Sequence, residues 1–227
     1  MADRRRTSLV YGLALAAVVA VVLVVTRSSG GAGAGTGYDD TADDGLHGAV
    51  LTAPYRMADA TLTDSQGRSV DLHGRLAKPL TLVFFGYSRC PDICQAVMAD
   101  LASAKARLGP SEAGQVAVWF VTTDPARDDA PTLRTYLARF DPSFEGFTGP
   151  LASIKRVAAS VHVALERGPK LPSGGYSITH GTPVLAVRKD ASVPVLWTAG
   201  TSAAKIAEDV HTILTDGMPS PTTQRQG

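Results

Sequence analysis

The chain has 227 residues, 44% of them hydrophobic, with 22 Lys and Arg against 21 Asp and Glu for a formal net charge of +1. That length holds one ordinary domain with appendages, and the apolar fraction is enough for a sizeable core. The near-neutral balance excludes a basic nucleic-acid surface, because Lys and Arg cluster nowhere beyond the N-terminus.

In chain order, "MADRRRTS" is followed by "LVYGLALAAVVAVVLVV", Leu9 to Val25, which carries no charge. As a helix it would span roughly 25 Å, the short end of a bilayer crossing. It exceeds the roughly 7–15 residue core of a cleaved signal peptide, so residues 1–27 are expected to form a cytoplasmic stub and an uncleaved single-pass anchor. Arg4, Arg5 and Arg6 against the lone Arg27 keep the N-terminus cytoplasmic and the remainder on the periplasmic or extracellular side. Residues 28–50, rich in Gly, Ala, Asp and Thr, read as a flexible linker. A domain is expected over 51–216 and a disordered tail over 217–227.

Within the domain, "ATLTDSQGRSVDL" predicts a hairpin turning at Gln66-Gly67. "LTLVFF", Leu80 to Phe85, has the continuous apolar character of a strand buried on both faces. A helix beginning near Cys90 follows, with Cys94, Val97, Met98, Leu101, Ala104 and Leu108 on one face, until Gly109-Pro110 ends it. "QVAVWFVTT" is a second buried strand, and "DDAPTLRTYLARF" a helix with Pro131 in its first turn. Leu151 to about Ser160 predicts a further helix. "PVLAVRKD" and "VPVLWTAG" predict two strands around Lys189-Asp190, and "TSAAKIAEDVHTIL" a closing helix.

This order is that of an α/β, thioredoxin-like domain, a central mixed sheet flanked by helices. The two buried strands need a crossover and are expected to be parallel. The chain's two cysteines then sit at the carboxyl end of a central strand, where open α/β sheets place their ligands.

"CPDIC" separates Cys90 and Cys94 by three residues. On a helix, positions i and i+4 share a face, so both sulfurs can converge. The helix N-terminus favours thiolate, and Asp92 opposes it. Three readings follow. A structural disulfide would close too small a loop to restrain the unfolded chain much. A thiol–disulfide oxidoreductase usually has two intervening residues rather than three. A soft-metal site suits two thiolates, which hold Cu(I), and an added imidazole would also accommodate Cu(II).

Of the five histidines, His47 falls in the linker and His73 in the surface-looking "DLHGR". His162 lies between Val161 and Val163, and His211 in the last helix. His180 ends the Gly-rich "GGYSITHG" before a core strand and, in this topology, faces the cysteine helix. Asp124, Arg127 and Asp128 form either a docking surface near the thiols or an Asp-Pro turn with a helix cap at Asp128 or Asp129. The turn and cap account for them, and they are left out of the site.

The segments "TLTDSQGRSVDL", "VFFGYSRCPDIC" and "TTDPARDDAPTLRTYLARFDPSFEGFTG" resemble the Sco/SenC family, over about residues 54 to 215. Its members are membrane-anchored thioredoxin-like copper proteins that help assemble the dinuclear copper centre of cytochrome c oxidase. The resemblance implies copper, as Cu(I) or Cu(II), held by Cys90, Cys94 and His180. It also implies a redox-active disulfide between the two cysteines and the copper-bearing oxidase subunit as partner. Such a chain is a metallochaperone rather than an enzyme. The family commonly has Asp and Ser around the histidine, where this chain has Thr179 and Gly181. Thr182-Pro183 stands where thioredoxin-like oxidoreductases carry a cis-proline facing their cysteines, which keeps thiol–disulfide reduction as the alternative. Peroxide-reducing relatives of the fold carry Thr three residues before the reactive cysteine, whereas this chain has Tyr87.

Overall fold

The computed structural model describes residues 45–91, 93–165 and 183–217, together with the backbone of 166–170 and 176–180. The expected anchor and stub, Asp92, the Thr182–Pro183 bond and most of the tail lie outside them. Among the described residues no helix is long and apolar enough to cross a membrane.

The strands are β1 (Ala49–Arg56), β2 (Thr61–Asp64), β3 (Ser69–Asp71), β4 (Leu80–Gly86), β5 (Val116–Thr122), β6 (Glu145–Thr148), β7 (Leu165–Lys170), β8 (Tyr176–His180), β9 (Val184–Arg188) and β10 (Ser192–Trp197). The helices are α1 (Leu72–Arg75), α2 (Ile93–Arg107), α3 (Pro110–Ala113), α4 (Ala130–Leu137), α5 (Leu151–Ser160) and α6 (Ala203–Thr215). Eight strands form one mixed sheet in the order β1-β10-β9-β4-β5-β6-β2-β3, and β7 with β8 forms a separate ribbon. As expected from the crossover, β4 and β5 are parallel, in register from Leu80↔Val116 to Gly86↔Thr122. β9 runs antiparallel on the other side of β4, from Leu80↔Arg188 to Phe84↔Val184.

Every residue of β4 is buried, because helices cover both faces of the sheet. Leu80, Leu82 and Phe84 pack with Leu101 of α2, Leu133 of α4 and Ile206 of α6. Val83 and Phe85 face the other way, onto Leu72 of α1 and Ile154 and Val157 of α5. Alternation along one extended strand thus serves two cores.

The structure differs from the sequence reading at several elements. The helix expected from Cys90 begins at Ile93, leaving Cys90 and Pro91 in the preceding turn. β1 occupies part of the expected linker and pairs with β10 from Ala49↔Leu196 to Arg56↔Ser192. Its entry is tied down by the buried Asp209, which accepts from His47 N–H at 2.9 Å, Gly48 N–H at 2.8 Å and Trp197 Nε1–H at 2.6 Å. The Gly-rich loop expected before His180 is a strand over Tyr176–His180, with His180 opposite Leu165. Finally, β6 was not apparent. Its Gly146 lets α4 approach, since a Cβ there would lie 2.9 Å from both Leu133 Cβ and Leu137 Cδ1.

Candidate metal centre

β4 delivers the chain to the site at Gly86, whose carbonyl accepts from Thr123 N–H at 2.7 Å. The next residues turn sharply, with Cys90 N–H donating to Tyr87 O at 3.1 Å. Cys94 then falls in the first turn of α2. The sulfurs therefore meet through a turn followed by a helix start, rather than along one helical face. The Cys90 and Cys94 side chains are buried thiols, 5% and 0% exposed, with a hydrogen bond between them. Gln95 Nε2 donates to Cys90 O at 3.3 Å, closing the same turn from the helix side.

The hydrogen bond with Cys90, followed by burial, pushes the Cys94 thiol far above its usual value. The charges of Cys90 and Asp128 act in the same direction, and a backbone hydrogen bond from Tyr87 opposes them. The thiolate preference expected of a helix N-terminus is thus overridden at Cys94, because the hydrogen bond with Cys90 and then burial in apolar surroundings disfavour the anion. The neighbouring Tyr136 hydroxyl is buried with no hydrogen-bond partner among the described residues. Burial, then the charge of Cys94, raises its pKa.

Two convergent sulfurs suit a soft ion. The strand end is also shaped for them: a Cβ on Gly86 would sit 3.0 Å from Cys94 Sγ. Among the described residues no three or more His, Cys, Asp or Glu side chains converge on a metal position. The described histidines are engaged elsewhere. His47 Nε2 meets Glu208 Oε2 at 2.9 Å, His73 Nε2 meets Met57 O at 2.8 Å, and His211 Nδ1 meets Glu112 Oε1 at 2.7 Å. The His162 ring packs at a tilt against Tyr55, centroids 4.4 Å apart.

The His180 side chain lies outside the described residues, but its backbone does not. His180 ends β8, and only Gly181–Pro183 separate it from Val184, which pairs with Phe84 beside the end of β4. Four residues span at most about 13–14 Å. The chain thus brings His180 back toward the end of the sheet from which the cysteines emerge.

The polar residues after β5 have a larger part than the sequence pattern suggests. Asp129 is the cap of α4, accepting from Thr132 N–H at 2.9 Å. Asp124 pairs with Arg127. Asp128 turns inward to 0% exposure and accepts from Ser88 N–H at 2.9 Å, Ser88 Oγ at 2.5 Å and Thr122 Oγ1 at 2.7 Å. The only trace of this in the sequence is the first Asp of "ARDDA", one more acid than a cap needs.

Residues 51–215 match the family model described as SCO1/SenC. The chain belongs to the SCO1/SenC family. Among relatives of this SCO1/SenC chain, the bovine mitochondrial SCO2 homolog is 29% identical over 168 residues, 72% of this chain and 61% of the relative. The yeast mitochondrial SCO1 protein is 31% identical over 120 residues, 52% of this chain and 40% of the relative. The chain thus spans about three fifths of the bovine protein and less of the yeast one. Solved structures agree in fold. The solution structure of apo Sco1 from Thermus thermophilus is 27% identical with a TM-score of 0.66, over 74% of this chain and 96% of that one. Copper-bound ScoI from Bradyrhizobium japonicum is 29% identical with a TM-score of 0.59, over 70% and 96%. The fold is therefore the thioredoxin-like Sco fold with a mixed sheet.

Proposed function

We propose that this chain is a membrane-anchored copper-binding protein that serves the dinuclear copper centre of cytochrome c oxidase. It either delivers copper to the oxidase subunit that carries that centre or keeps the subunit's cysteines reduced. The anchor is Leu9–Val25, and the domain lies on the periplasmic or extracellular side. The observation carrying the reading is the buried, hydrogen-bonded Cys90–Cys94 pair at the end of β4, in a chain of the SCO1/SenC family. A homologue of the same fold is known with copper bound.

Cys90, Cys94 and His180 are the ligands in this reading, with copper as cargo. Two sulfurs and one imidazole accept either oxidation state. Delivery is ligand exchange toward a tighter site and needs no turnover. Because Cys94 is held protonated, loading displaces a proton, and affinity falls as pH drops. Copper titration of the reduced full-length chain is the test. We expect one copper per chain, loss of binding in Cys90→Ser and Cys94→Ser, and at least about tenfold weaker binding in His180→Ala. Full affinity and an unchanged Cu(II) spectrum in His180→Ala would overturn the three-ligand site.

The facing thiols also favour a second reading, reduction of a partner disulfide. One thiolate attacks the partner, a mixed disulfide forms, and the other cysteine resolves it, so two electrons pass to the partner as Cys90 and Cys94 become a disulfide. That activity requires both cysteines and leaves His180 dispensable.

A further inference from the structure

Asp128 lies 34 positions after Cys94 in the chain, yet two of the three hydrogen bonds its carboxylate accepts come from the cysteine loop, the third coming from Thr122 Oγ1 at 2.7 Å. Its carboxylate holds both donors of Ser88, the backbone N–H at 2.9 Å and the hydroxyl at 2.5 Å. Ser88 lies inside the Tyr87–Cys90 turn. The carboxylate is itself held by the turn after β5, where Arg127 N–H and Asp128 N–H both donate to Asp124 O at 3.0 Å.

The other tasks open to a carboxylate here are already filled. Asp129 caps α4. The ends of β4 and β5 are joined through Gly86↔Thr122 and by Thr123, whose N–H and hydroxyl both donate to Gly86 O, at 2.7 and 3.2 Å. What remains for Asp128 is the loop between Gly86 and Cys90. A buried carboxylate is costly unless its acceptor sites are filled, and here Ser88 fills most of them. Loop and carboxylate therefore fix each other.

We infer that Asp128 is a positioning residue, which through Ser88 sets the approach of the Cys90 sulfur to that of Cys94. Held in one geometry, two thiols have a high effective concentration toward each other, and releasing the loop lowers it. The inference rests on the sulfur pair acting as a unit, whether for copper or for electrons, and its test needs no metal. Failure of copper binding would therefore leave it standing.

The measurement is the equilibrium of the reduced full-length chain with glutathione disulfide, in mild detergent. The glutathione S–S bond breaks, one forms between Cys90 and Cys94, and the two thiol protons pass to the two glutathione thiols released. We expect Asp128→Asn to lower the exchange constant by about tenfold and Ser88→Ala by about threefold or more, since hydrogen bonds to a buried charge are among the stronger ones. The double variant falls no further than Asp128→Asn, because both act through one contact. Asp209→Asn is the control: that carboxylate is equally buried and takes three hydrogen bonds, from His47, Gly48 and Trp197. It lowers the Tm and leaves the exchange constant within about twofold. A wild-type constant in Asp128→Asn, or an equal shift in Asp209→Asn, overturns the inference. Should Asp128→Asn fail to fold, Ser88→Ala carries the same test, and a wild-type constant there is equally decisive.

Discussion

A methyl group at position 86 would lie 2.8 Å from Phe84 Cε1 and 3.0 Å from both Cys94 Sγ and Phe120 Cε2. None of these is the far end of a flexible side chain, so something in the site has to shift. Overpacking of this kind costs about 1–3 kcal/mol, and here part of the strain falls on a sulfur. We expect Gly86→Ala to lower stability by that amount and to weaken copper binding by at least about tenfold. Denaturant unfolding and copper titration of the same preparation check both. Retained affinity in a destabilised protein would mean that Cys94 does not hold the ion. Gly146→Ala, where the clash is with Leu133 and Leu137 instead, should lower stability alone.

Among the elements, the β2–β3 hairpin carries its own electrostatic lock. Asp64 Oδ1 accepts from the N–H groups of Gln66 and Arg68, each at 2.9 Å, and Oδ2 accepts from Arg68 Nε at 2.8 Å. Burial by itself would raise the Asp64 pKa, but the Arg68 side chain and these backbone donors outweigh it and hold it below the usual value. A carboxylate with a depressed folded-state pKa contributes stability above its unfolded value, near pH 4, which is lost as pH falls through the folded value. We expect the Tm of the wild type to fall more steeply than that of Asp64→Asn between about pH 5 and pH 2. Parallel curves would show that the hairpin lock does not contribute. Gly67 completes this turn at a φ of +81°, a conformation that favours glycine.

Over the whole molecule, adjacent residues of β4 serve opposite cores. Phe84 belongs to the cluster that contains both cysteines, and Phe85 to the cluster under α1 and α5. Both are buried, at 0% and 1% exposure, so truncation to Ala should cost each about 3–5 kcal/mol. Their effects on the site should separate. Phe84→Ala is expected to speed Cys94 alkylation in the native protein, and Phe85→Ala to leave it near the wild-type rate at matched stability. Equal acceleration would mean that the sheet does not insulate its two faces.

Periodicity and spacing were enough for most elements. The alternation and apolar runs in β4, β5, β9 and β10 and the helical repeats in α2, α5 and α6 are properties of consecutive residues, and so is the closeness of Cys90 and Cys94. β6 is not legible in the sequence because four residues, "EGFT", carry no pattern outside the sheet that pairs them. The start of α2 at Ile93 is hidden for a related reason: a helix starting at Cys90 would leave its N–H unpaired, as the Tyr87–Cys90 turn does not, and nothing in "CPDIC" tells the two apart. Tertiary structure alone placed the buried carboxylates. Asp209 reaches His47 across 162 positions, and Asp128 reaches Ser88 across 40. A buried acid takes whichever donors the fold brings to it, so neighbours along the chain leave no mark of that partnership. Local order thus follows from consecutive side chains, whereas the burial of Cys94 and the clasp on its loop exist only once distant groups are packed together.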